Sequence, residues 1–77
     1  MVPMVPVQCL LARTALGWDV RDLARVAEVS RDTVRRFERG GSVKASTIQA
    51  IQSALETAGV IFIDADDGGP GVRLRKK

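Results

Sequence analysis

A chain of 77 residues accommodates one domain with a small core, so a second domain does not fit and self-association is expected to support a lone protomer. Hydrophobic residues make up 45% of it and aromatic ones only 4%, which restricts the core to Leu, Ile, Val and Ala and favours packed helices over a β-sandwich. The net charge is +3, and with no histidine and Cys9 as the single cysteine, an internal disulfide, the usual zinc-ligand sets and histidine-based dyads are excluded; neither an enzyme nor a cofactor is expected.

The distribution of charge says more than its sum. Residues 1–29 balance three basic groups against three acidic ones, whereas 30–45 carry five basic groups against Asp32 and Glu38. Residues 46–71 hold four acidic groups and no basic one, and 72–77 hold four basic ones. A basic block on a folded helix suits an anionic partner, nucleic acid being the commonest, although a merely solvated face has the same composition. No apolar run approaches the roughly 20 residues of a membrane span. The start MVPMVPV lacks the basic flank and unbroken apolar stretch of a signal peptide, so a cytoplasmic protein is expected.

In chain order, Pro3 and Pro6 make residues 1–6 an extended or loose start, ahead of a helical domain over 7–58. From Val7 to Leu16 the spacing of Val7, Leu10, Leu11 and Thr14 predicts a helix with those residues on its core face, stopped by Gly17. Trp18 is expected to cover one end of the core. Asp19 caps a second helix over about Val20–Ala27, with Asp22 in its first turn and Val20, Leu23, Ala24 and Ala27 on its apolar face. Arg21 and Arg25 lie on another face, either solvated or aimed at phosphates.

After a bend at Glu28 and Val29, Ser30 caps a third helix over Arg31–Arg39 that ends at Gly40 and Gly41. Val34 and Phe37 face inward on it, leaving Arg31, Asp32, Arg35, Arg36 and Arg39 outside. One narrow apolar seam under a cationic surface suits a DNA major groove, where arginine reads guanine edges or holds phosphates. A fourth helix over about Ala45–Ala58, capped by Ser42 or Ser46, repeats Ile48, Ile51, Leu55 and Ala58 and is expected to close the core against the first. In residues 59–77, VIFID and VRLRKK read as two strands joined by a glycine-rich turn, a hairpin too weak alone that should lie on the helices or pair with a second subunit. Asp64, Asp66 and Asp67 near Gly68 lack the ligand spacing and closing glutamate of a calcium loop, so no metal is expected.

The stretch LARVAEVSRDTVRRFERG resembles the Xre/Cro type of helix-turn-helix protein, through Leu23, Ala24 and Ala27, then Val29 and Ser30, then Thr33, Val34, Phe37, Glu38 and Gly40. The resemblance spans Leu16 to about Ala58, and the tail with GVIFID and GGPGVRLRKK is similar to the ending of short bacterial regulators of that family. It implies a mainly α, four-helix lambda-repressor-like domain followed by a C-terminal β-hairpin or dimer-forming strand. By position it implies that Ser30, Arg31, Asp32 and Arg36 face the major groove and that Arg39, Gly40 and Lys44 lie along the sugar-phosphate backbone. Arg35, four residues after Arg31, extends the base-reading set, and Arg21 and Thr33 extend the phosphate set. Two positions depart from the family: Glu28 stands where glycine serves a bend of positive φ, which implies either modest strain or a slightly different turn, and Val20 stands where glutamine grips phosphate, so that either Arg21 substitutes or this anchor is missing.

The expectation is therefore a sequence-specific regulator of double-stranded DNA, a repressor acting as a homodimer through Val60, Ile61, Phe62 and Ile63. The alternative is a protein-interaction module of the same fold, of the antitoxin or anti-activator kind, that pairs with a protein partner through the same strand. The tail Arg73, Arg75, Lys76 and Lys77 is either an arm on DNA or a solubilising end.

Overall fold

In the computed structural model the chain runs through α1 (Pro6–Ala15), α2 (Val20–Ala27), α3 (Arg31–Glu38), α4 (Ala45–Thr57), β1 (Val60–Ile63) and β2 (Gly71–Leu74). The structure describes residues 3–64 and 69–75; the expectations on Met1 and Val2, on Asp66, Asp67 and Gly68, and on Lys76 and Lys77 lie outside the described residues. The mainly helical architecture with a terminal hairpin is the expected one.

Local chemistry fixes the helix starts. Pro6 sits in the first turn of α1, where its missing donor costs nothing, and Gln8 Oε1 accepts the Val5 N–H at 2.9 Å. At α2 the caps are reciprocal: Asp19 Oδ1 accepts from Asp22 N at 2.8 Å and Asp22 Oδ2 from Asp19 N at 3.0 Å. Ser30 Oγ accepts from Thr33 N at 3.1 Å to open α3. α4 differs from expectation, because neither Ser42 nor Ser46 caps it; Lys44 holds the cap position with no side-chain bond.

The first three helices end alike. Trp18 N–H reaches Arg13 O at 2.7 Å, Val29 N–H reaches Ala24 O at 3.0 Å, and Gly41 N–H reaches Arg36 O at 2.8 Å. Each of these six-to-one bonds needs a left-handed residue just before the donor, supplied by Gly17 (φ 74), Glu28 (φ 59) and Gly40 (φ 84). Only Glu28 does this with a Cβ.

The core joins Leu23 and Ala24 of α2, Val34 and Phe37 of α3, Ile51 and Leu55 of α4, Cys9 and Ala12 of α1, Val60 of β1, and Met4. Of the extended or loose start expected, the extended form is seen at Val5, and Met4 is buried with its N–H donating to Gln52 Oε1 at 3.1 Å. Trp18 packs against this core, as expected. α4 packs chiefly on α2 and β1 and more lightly on α1, the neighbour expected for it, while α1 lies mainly against β2 and α3.

The larger correction is the rotation of α1. It buries Gln8, Cys9 and Ala12 and turns Val7, Leu10, Leu11 and Thr14 to solvent, the reverse of the predicted face. Polar partners decide this. Gln8 Nε2 donates to Ile63 O at 2.9 Å and to Gly71 O at 3.0 Å, and Arg13 on the adjoining face pairs with Glu38. Turning the leucines inward would strand these groups.

β1 and β2 pair antiparallel, Val60 opposite Leu74 and Phe62 opposite Val72, and Arg75 N–H closes the ladder on Gly59 O at 2.7 Å. The hairpin lies on the helices: Val60 is in the core, and Phe62 and Val72 pack against it. The side chain of Val60 is thus buried within the protomer, and that of Ile63 is exposed. No helix among the described residues is long and apolar enough to cross a membrane.

Candidate nucleic-acid interface

α3 is fastened on one side and open on the other. Val34 and Phe37 anchor it in the core, and at its last turn Glu38 receives Arg13 Nε at 2.7 Å and Arg13 Nη2 at 3.0 Å in a bidentate pair. Cys9 Sγ donates to Glu38 Oε2 at 3.3 Å, and Arg13 Nη1 also reaches Trp18 O at 3.3 Å. The hydrogen bond to Glu38, ahead of its charge, raises the Arg13 guanidinium above its ordinary value. Burial first, and then the Glu38 charge, push the Cys9 thiol far above the ordinary thiol value, so Cys9 stays a neutral donor.

The opposite side of α3 presents Ser30, Arg31, Asp32, Arg35, Arg36 and Arg39, all exposed. Asp32 approaches Arg35 at 3.7 Å, an exposed pair that water screens and a stronger anion displaces. Arg31, Arg36 and Arg39 have no acidic partner among the described residues. Thr33 is half-buried, its hydroxyl 2.7 Å from that of Ser30.

Two basins flank the helix. One, of about 320 Å³, lies between the start of α2 and α3 and gathers Arg21, Arg31 and Arg35 with Arg13, Asp19 and Val20. Asp19 in it is held below its ordinary carboxylate range, first by the backbone N–H of Asp22 and also by the Arg21 charge. Val20 packs partly against the core. The other basin, of about 450 Å³, gathers Arg36, Arg39 and Gly40 with Asp32 and Gly41. Of the predicted phosphate set, Arg21 thus shares a basin with Arg31 and Arg35, and Arg39 and Gly40 share one with Arg36. Lys44 stands apart at the start of α4, exposed and lining neither basin.

The roles of two residues escaped the sequence reading. Arg13 is the one charged side chain of α1, which was the signal for its inward partner Glu38. Gly41 backs the stem of Arg36 so closely that a Cβ there would lie 2.7 Å from Arg36 Cγ; the tandem glycine was its signal.

Comparison with known families places the geometry. A family model described as helix-turn-helix matches residues 11–60, from the middle of α1 to the first residue of β1 and well over half of the chain. No curated protein matches it.

Proposed function

Since the chain belongs to the Xre/lambda-repressor-like helix-turn-helix family of DNA-binding regulators, we propose that it binds a specific double-stranded operator as a homodimer in the cytoplasm and represses the promoter it covers. The observation that carries this reading is the free outer face of α3, where Arg31, Arg36 and Arg39 are exposed with no acidic partner among the described residues. Desolvated against an anion, such groups lose no ion pair on binding.

On this reading α3 enters the major groove. Arg31, Arg35 and Arg36 donate to guanine O6 and N7, Asp32 accepts from a cytosine amino group, and Ser30 contacts either base type. Arg21, Thr33, Arg39 and Lys44 hold phosphates, which supplies affinity without sequence information, and Gly40 lets the strand backbone come close. Two subunits then read half-sites about 34 Å apart, one helical turn.

A mobility shift against the DNA upstream of the protein's own coding region tests it. The wild type is expected to shift this DNA and the Arg31→Ala, Arg36→Ala double variant to lose the specific shift; unchanged binding by the double variant refutes the groove assignment. The exposed Ile63 favours a second reading, an interaction module capturing a protein through its strand. Salt separates the two, because arginine-carried DNA affinity falls steeply as salt rises and strand pairing does not.

A further inference from the structure

Val7, Leu10 and Leu11 are 46%, 43% and 41% exposed, on the side of α1 away from buried Gln8, Cys9 and Ala12, and Val5 just before them is 39% exposed. Arg13, the only charge on α1, is turned to Glu38, so the outward face is uncharged along the helix, aliphatic at Val7, Leu10 and Leu11 and followed by Thr14. Gln8 ties the backbone of Ile63, itself 43% exposed, to the first turn of α1 from the helix's inner side, so a further exposed aliphatic side chain stands near that end of the helix.

We propose that this face, Val7, Leu10 and Leu11 of α1 with Ile63 at its end, is where a second copy of the chain docks, the two α1 helices packing across a two-fold axis. The dimer contact then lies chiefly on the helix, with the strand contributing Ile63.

Charge selects a second copy. At a two-fold contact the same patch faces its own copy, so a uniformly cationic surface such as the outer face of α3 repels itself, while a neutral aliphatic face does not. Area agrees. Five aliphatic side chains roughly two-fifths exposed leave on the order of 300 Å² of apolar surface, the size at which a patch on a monomer carries function. That is the core of the roughly 800 Å² that each partner of a stable dimer buries, out of 5134 Å² for this chain. Spacing agrees as well, and here the inference rests on the DNA-binding reading. α1 lies directly on α3; packed helices sit about 8–10 Å apart, so the stack α3, α1, α1, α3 spans up to about 30 Å, near the roughly 34 Å between half-sites.

Sedimentation equilibrium of the full chain without DNA tests the proposal, comparing the wild type with Leu10→Glu plus Leu11→Glu and with Leu10→Lys plus Leu11→Lys. Both positions are exposed, so the variants should fold; circular dichroism checks this, and Leu10→Gln plus Leu11→Gln replaces any variant that does not. The wild type is expected to dimerise at tens of micromolar and the Glu variant to associate more than about 100-fold more weakly. Mixing the Glu and Lys variants should restore dimer mass as a heterodimer. A folded Glu variant with wild-type dimer mass overturns the proposal, and so does a wild type that is monomeric at about 100 µM. A dimer broken by the Glu variant that shifts no DNA refutes the operator reading alone. DNA binding by a chain whose dimer mass ignores Leu10 and Leu11 refutes the α1 contact alone.

Discussion

Glu28 sits at φ 59 and ψ 43, where its Cβ crowds the following carbonyl, and its side chain is exposed. Left-handed backbone costs a non-glycine residue roughly 1–2 kcal/mol, part of which glycine gives back as unfolded-state entropy. Glu28→Gly should therefore raise stability by about 1 kcal/mol and the melting temperature by about 4–8 °C. An unchanged melting curve would mean that the bend carries no strain. Cys9 gives a second residue-scale test. Burial and Glu38 raise its folded pKa above the ordinary 9.0, so below pH 9.0 its contribution is fully present. As pH rises past that value the unfolded thiol ionises while the folded one does not, and stability falls. Thermal unfolding from pH 8 to 10 should show this decline in the wild type and a flatter profile in Cys9→Ala. The strain at Glu28 was legible in the sequence, because a family glycine marks a positive φ there. The protonation of Cys9 was not, since it depends first on its burial in the folded core and then on a carboxylate 29 residues away.

At the scale of elements, periodicity located every helix but misjudged which way α1 turns. Its stripe of Val7, Leu10 and Leu11 and its stripe of Gln8, Cys9 and Ala12 have the same helical spacing, and hydropathy alone prefers the first. What reverses the choice is tertiary: partners for Gln8 on the hairpin and for Arg13 on α3, neither of which a local window contains. The Arg13–Glu38 pair is thus the main polar tie between α1 and α3. Arg13→Met removes one partner and leaves a part-buried carboxylate alone, which should cost about 3 kcal/mol in urea unfolding. Adding Glu38→Leu should recover much of that loss. A double variant as unstable as the single one would show that packing by Arg13, and not the unpaired charge, sets the cost. The outward arginines of α3 were legible because Ser30 and the Val34, Phe37 seam fix the helix and its rotation. The two basins were not, since they depend on how α2 and the Gly40–Gly41 turn lie against α3.

For the whole molecule, DNA affinity should divide between its basic groups. Arg39→Ala is expected to weaken binding to operator and unrelated DNA alike and to lower the slope of log affinity against log salt by about 1. Arg36→Ala should instead erase about 1–3 kcal/mol of discrimination at one base pair. Titrations on both DNAs at several salt concentrations would separate the roles, and equal losses on both from Arg36→Ala would reassign it to the backbone. The Gln8 amide has a consequence of another kind. It fastens chain segments 55 and 63 residues apart, whereas Ser30, Asp19 and the helix-end bonds join near neighbours. Closing so long a loop costs entropy that local bonds do not, so the helical unit forms early and the two ends of the chain are sewn together last. The amides of the hairpin and of the first turn of α1 should then exchange with solvent as one cooperative unit, opening before the buried middle of α2 and α4.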